Sequence, residues 1–160
     1  MERVDYMYKA LELAKKAYQQ DEVPIGCIIV NSKSGEIIAE AYNLCQHVEN
    51  AVSHAEIKAI QTACDKLGTN RLWGMDMYVT LEPCTMCAAA ISFARIENLY
   101  FGATDTKGGA VVSGVRFFEQ ETCHHRPFVC GGILENECAQ LLKDFFKNKR
   151  NTKGLGNEAQ

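Results

Sequence analysis

Met75-Asp76-Met77-Tyr78-Val79-Thr80-Leu81-Glu82-Pro83-Cys84-Thr85-Met86-Cys87-Ala88-Ala89-Ala90-Ile91-Ser92-Phe93-Ala94 changes character halfway along. Residues 75–81 are short and rich in β-formers and read as a strand. Glu82-Pro83 then hands over to an apolar helix over about 84–95, with proline where a helix tolerates it because the first amides lack intrahelical partners. Cys84 and Cys87 stand three apart, so a helix puts both sulfurs on one face. They fall in its first turn, where the partial positive charge of the helix N-terminus favours thiolate. A strand that runs directly into a helix whose first turn carries a pair of thiolates is the unit around which the rest of the chain is read.

Upstream, His54-Ala55-Glu56 opens another helix, expected over 53–67. Ser53 is a candidate N-cap, with Glu56 three residues on as in a capping box, and Gly68 closes the helix. Val4, Met7, Leu11, Ala14 and Tyr18 recur at helical spacing and predict an amphipathic helix over 2–20, stopped by Pro24. Residues 25–31 and 36–42 read as a hairpin. A fourth strand is expected at 98–103, a short fifth at 128–130 and a last helix over 134–149. Residues 104–127 give no clear period, and 151–160 read as a flexible tail. Strands and helices alternating in this way imply an α/β fold, a mixed sheet with helices on both faces, formed by one domain over 1–150.

Two cysteines and one histidine provide three metal ligands. A structural zinc site closes its shell with four, whereas a catalytic one keeps a position for water. Zinc lowers the pKa of that water to about 7. Glu56, two residues beyond His54, can sit beside the water without binding the ion, take its proton and deliver it to a substrate ring nitrogen. Cys64 lies ten residues past His54, about 15 Å along the helix axis, and is a poor fourth ligand. Cys45, Cys123, His124 and His125 remain candidates through folding that spacing does not reveal. A Cys-x-x-Cys pair by itself also fits a thiol oxidoreductase.

Composition narrows the setting. The chain has 160 residues, 47% of them hydrophobic, and a formal net charge of −3. No apolar run approaches the roughly 18 residues of a membrane span, and no signal peptide is apparent, so the expected compartment is the cytoplasm. The 8 cysteines are expected as free thiols or ligands in a chain with enough apolar residues for its own core. Lys143, Lys147, Lys149, Arg150 and Lys153 gather near the C-terminus with only Asp144 among them, which fits either a solvated helix face or a surface for phosphates.

His-x-Glu followed by Pro-Cys-x-x-Cys resembles the signature of the cytidine-deaminase-like zinc enzymes. The resemblance tightens to the bacterial tRNA adenosine deaminases through Glu22-Val23-Pro24-Ile25-Gly26, residues 80–88, Phe101-Gly102-Ala103-Thr104-Asp105-Thr106-Lys107-Gly108-Gly109-Ala110, and the final stretch from Gly132 to Phe146. The first two stretches are shared with relatives acting on free bases; the last two are more telling of the tRNA enzymes. The resemblance implies a three-layer α/β/α fold around a five-stranded mixed sheet, one Zn2+ per subunit with a bound water, and a homodimer. It implies conversion of the wobble adenosine of a tRNA anticodon stem-loop to inosine. It makes His54, Cys84 and Cys87 the ligands and Glu56 the proton carrier. It assigns Asn43 to the substrate nucleoside, Asp105 and Lys107 to a loop near the flipped-out nucleotide, and Phe145 with the basic residues after it to the border of the RNA groove. Unpaired bases rest on aromatic rings and phosphates on Lys and Arg in such sites. His124 and Pro127 depart from the family's pattern.

Two rivals keep the same ligands. A deaminase of free guanine, cytosine or a nucleoside would use the same four residues without needing the 105–110 loop or a basic last helix. A non-catalytic, zinc-stabilised RNA-binding module would have no use for Glu56.

Overall fold

The computed structural model describes residues 1–157, and the side chains of 153–157 lie outside that description. In chain order the elements are α1 (Arg3–Gln19), β1 (Gly26–Asn31), β2 (Ile37–Tyr42), α2 (Ala55–Leu67), β3 (Met75–Leu81), α3 (Thr85–Ala94), β4 (Asn98–Ala103), β5 (Phe128–Cys130) and α4 (Glu135–Asn157), with a single 3-10 turn at Phe117–Glu119.

The sheet is five-stranded in the order β2-β1-β3-β4-β5. β1 pairs antiparallel with both β2 and β3, whereas β3, β4 and β5 run parallel. The two-residue alternation of a strand divides the core in two. On one face Cys27, Ile29, Met77, Val79, Leu99 and Phe101 pack with Ala55, Ala59, Ala88 and Ile91 of α2 and α3. On the other, Ile28, Val30, Tyr78 and Tyr100 pack with Met7, Ala10 and Leu11 of α1 and Cys138 of α4. This is the three-layer α/β/α arrangement around a mixed sheet. Helix α1 lies close on the sheet at Gly26, where a Cβ would stand 1.9 Å from the Ala10 carbonyl oxygen. Among the described residues no helix is long and apolar enough to cross a membrane.

Three local expectations change. The second helix starts at Ala55 with His54 at its N-cap, not Ser53, and His54 makes no side-chain cap bond. Asn43, just after β2, donates its backbone N–H to the Ile25 carbonyl at 3.1 Å, while its side-chain Oδ1 accepts the Ala55 N–H at 2.8 Å and so caps the helix from outside. The last helix continues past residue 149 to Asn157 because no proline or left-handed glycine interrupts it near Lys149. Residues 151–157 of the expected tail are therefore helical, and 158–160 lie outside the described residues. The segment 104–127 is irregular as expected, yet it is held by a dense set of hydrogen bonds to one carboxylate, described below.

Candidate metal centre and catalytic cleft

The centre forms where two helix starts meet beyond the carboxyl end of β3. Parallel β3 and β4 point their ends the same way, and the loops leaving such ends are where open α/β sheets place their sites. His54 and Cys84 are the N-cap residues of α2 and α3, and α2 packs on α3, so both ligands arrive from the same side. Cys87 is fully buried one turn into α3.

His54 Nδ1 lies 3.7 Å from Cys84 Sγ and 3.5 Å from Cys87 Sγ. Zinc bonds of about 2.3 Å to sulfur and about 2.0–2.1 Å to nitrogen, at the tetrahedral angle, put ligand S and N about 3.6 Å apart. The side chains therefore stand where a tetrahedral ion would need them. All three donor atoms fall within 4.8 Å of one another, and no fourth His, Cys, Asp or Glu among the described residues joins the group. Cys45, Cys64 and Cys123 are free thiols away from it, and His125 Nε2 faces the Ile96 carbonyl oxygen at 2.6 Å. Three ligands leave one tetrahedral position for a reacting molecule.

The electrostatics fit a cation. A hydrogen bond from Cys87 and another from His54 hold the Cys84 thiol down at about 4, against burial. Cys87 is pushed up because it holds the proton the two sulfurs share and is itself desolvated. The Cys84 partner in turn raises His54. A lowered Cys84 thiol beside a raised His54 is an arrangement that favours a divalent cation, whose binding displaces protons from its ligands.

Glu56 is 4% exposed. Its Oε1 is the one buried side-chain oxygen or nitrogen among the described residues with no hydrogen-bond partner. Burial pushes its carboxyl up to about 7, with the helix-start amide and His54 pulling the other way. A buried carboxyl oxygen without a partner costs stability, and such orphaned atoms persist where function retains them.

A cavity of about 770 Å³ opens over the cluster, and His54, Asn43, Asp105, Lys107, Phe146 and Lys149 line it. Asn43, His54, Asp105, Lys107, Lys149 and Arg150, all singled out from the sequence, are thereby brought together. Phe145 is not among them. It is buried against Tyr18, with ring centroids 5.6 Å apart, and its neighbour Phe146, 44% exposed, faces the cleft. Lys149 also bonds to Asp21 at 2.5 Å, which ties α4 to the end of α1. The side chain of Lys153 lies outside the described residues.

Two further carboxylates shape the cleft and had no signal in residue spacing. Glu22, 2% exposed, accepts the N–H groups of Gln46 at 2.6 Å and His47 at 2.9 Å, and faces His47 Nδ1 at 3.2 Å. It thereby fixes the loop between β2 and α2. Glu82, 2% exposed, holds the loop after β4. Burial raises its carboxyl, but the amides of Asp105, Val111 and Val112 and the Ser113 hydroxyl outweigh burial and keep it below the usual range.

The geometry can be set beside known proteins. Residues 1–150 match the family of MafB19-like deaminases. The chain is 55% identical to a tRNA-specific adenosine deaminase of Agrobacterium fabrum, covering 93% of this chain and 97% of the relative. It is 45% identical to one of Bacillus subtilis, covering 92% and 91%. A solved structure from studies of A-to-I editing by tRNA:A34 deaminases at the wobble position of transfer RNA superposes with a TM-score of 0.85. That match has 55% identity and covers 88% of this chain and 100% of the other. The guanine deaminase of Bacillus subtilis superposes with a TM-score of 0.63 at 27% identity, covering 94% and 95%. The chain belongs to the MafB19-like deaminases and, by identity along nearly its whole length, to the tRNA-specific adenosine deaminases.

Proposed function

We propose that this chain hydrolytically deaminates adenosine to inosine at the wobble position of a tRNA anticodon, using zinc held by His54, Cys84 and Cys87. The observation that carries the reading is the orphaned Oε1 of Glu56, buried two residues from one ligand of a three-ligand cluster. When bound, zinc supplies the nucleophile by acidifying a water.

The chain's own residues do the rest. Glu56 takes a proton from the attacking water and hands it to the adenine ring nitrogen, then takes the second proton from the hydroxyl formed on the reacting carbon and delivers it to the amino group, which leaves as ammonia, so that it acts in turn as base and acid. Asn43, its carbonyl already committed to the Ala55 N–H, keeps its amide protons for the nucleoside. Asp105 and Lys107 line the same cleft as Asn43. Phe146, with Lys149 and Arg150 beside it in the cleft, offers an unstacked base a ring and its phosphates two cations. We assign this role to Phe146 in place of Phe145. The deaminase unit is residues 1–150, and an enzyme of tRNA works in the cytoplasm.

Purified, zinc-loaded protein is expected to release ammonia from an anticodon stem-loop carrying a wobble adenosine and not from free adenosine, guanine or cytosine. Its RNA binding should weaken steeply with salt. Turnover of a free base alone would overturn the tRNA reading and leave the centre in place.

The homodimer that the family resemblance implies has a candidate surface on α2 and α3. A groove of about 800 Å³ is lined there by Ile60, Cys64, Ala90 and Phe93, with Phe93 68% exposed. Large exposed aromatics of this kind mark association surfaces. Sedimentation at micromolar concentration should read twice the chain mass, and Phe93→Asp should read once. A wild-type protein that sediments as a single chain would remove this assignment.

A further inference from the structure

We infer that Glu82 is a positioning residue that sets the wall of the substrate cleft in register with the metal centre. The inference rests on the reading above for what the cleft binds, and on the structure for everything else.

Glu82 sits between β3 and Cys84, one residue from Pro83, and its carboxylate is buried. Its Oε2 accepts the N–H groups of Val111, Val112 and Ser113 at 3.0, 2.9 and 3.0 Å. Its Oε1 accepts the Asp105 N–H and the Ser113 hydroxyl, both at 3.0 Å. No Lys, Arg or His among the described residues pairs with it. The negative charge is balanced by four backbone N–H dipoles and one hydroxyl, in the manner of an anion nest.

The loop closes tightly on this carboxylate. A Cβ at Gly109 would stand 2.4 Å from Glu82 Cδ, so the chain passes where only glycine fits. Ala110 N–H donates to the Pro83 carbonyl at 2.9 Å, and Gly109 N–H to the Asp105 carbonyl at 2.9 Å. Within the loop, Asp105 Oδ1 accepts the N–H groups of Lys107 and Gly108. Asp105, Lys107 and Gly108 then face the cleft beside His54.

One side chain therefore fixes two things at once. Along the chain it leads into Cys84; across space it holds the loop that presents Asp105 and Lys107. Because every bond but one comes from a backbone N–H, the carboxylate sets the loop's shape with little call on its side chains beyond the glycine at 109. Those side chains are left to choose the substrate. Glu82 is neither in the lining of the cleft nor in the three-residue cluster; it acts through the loop.

The test compares Glu82→Gln and Ser113→Ala with the wild-type chain, all zinc-loaded. A carboxamide presents an NH2 group to amides that need an acceptor, so one cluster of bonds must break. For the anticodon stem-loop, Glu82→Gln should raise KM on the order of tenfold while kcat changes less. Ser113→Ala, which removes one hydroxyl bond and leaves the backbone bonds, should raise KM about threefold. The amides of Asp105, Val111, Val112 and Ser113 should exchange with deuterium at least about tenfold faster in Glu82→Gln, with β3 and β4 unchanged. Zinc content should stay that of wild type. A purely structural role would lower the active fraction, and with it apparent kcat, without moving KM. An unchanged KM in folded Glu82→Gln overturns the inference, and if that variant does not fold, an unchanged KM in Ser113→Ala overturns it. Should the wild-type chain fail to turn over RNA, the proposed function falls and the exchange rates of the four amides alone decide the role of Glu82.

Discussion

Replacing Glu56 by glutamine is expected to lower kcat on anticodon RNA by about 10³–10⁴-fold, the upper part of the range for losing a positioned proton carrier. At about 1.4 kcal/mol per tenfold that is on the order of 4–5.5 kcal/mol of transition-state stabilisation. The amide has the carboxylate's shape but cannot take a proton at neutral pH. One group serving both as base and as acid makes the loss larger than for a single transfer. Metal content should stay at one ion per chain, because Glu56 is not a ligand. The wild-type carboxylate is buried with Oε1 unpaired, a cost to stability retained at a functional position. Glu56→Gln should accordingly melt at the same temperature as wild type or above it. Three measurements decide the matter: ammonia release, metal analysis and a thermal melt. Activity within about threefold of wild type would sink the assignment. Lost activity accompanied by lost metal would show Glu56 to be a ligand instead.

How much of this was legible in the chain depends on the range of each interaction. The strand-to-helix handover at Leu81–Cys84 and the spacing of Cys84 and Cys87 are local, and they placed β3 and α3 within a residue, with both candidate ligands at the start of α3. His54 needed only the expectation of a helix start. That expectation misplaced the cap because the cap comes from Asn43, twelve residues back on another element; a capping-box pattern looks only three residues ahead. Phe145 and Phe146 are adjacent and both aromatic, so they point about 100° apart on a helix. Which of the two faces the cleft is set by how α4 rests on Tyr18, a contact between opposite ends of the chain. Glu22 and Glu82 left no trace beyond their place in motifs. A carboxylate that binds backbone amides has partners of any residue type, and Glu82's lie 23 to 31 residues away. Spacing reveals ligands, whose types are restricted, and hides the groups that hold loops.

The second large effect expected is at Cys87. Cys87→Ala should abolish metal binding at micromolar protein and take turnover with it, while the chain still folds. Two ligands would remain. Loss of a mere outer hydrogen-bond partner of a ligand costs about 10–100-fold in metal affinity, and loss of a direct ligand should cost more. The fold should survive because the core around α3 rests on Ala88, Ile91, Val79 and Leu99, none of which belongs to the three-residue cluster. Stability is nevertheless linked to the ion: free metal at a thousand times its dissociation constant stabilises the native chain by about 4 kcal/mol. A chelator should therefore lower the melting temperature of the wild type and leave that of Cys87→Ala where it is. Glu56→Gln should respond to chelator as wild type does. The two variants thus separate the two halves of the site: one keeps the ion and loses the proton carrier, the other keeps the carrier and loses the ion. If Cys87→Ala retains metal and turnover, the three-ligand centre is wrong, and the 3.5 Å approach of Cys87 Sγ to His54 Nδ1 is only a hydrogen bond in the core.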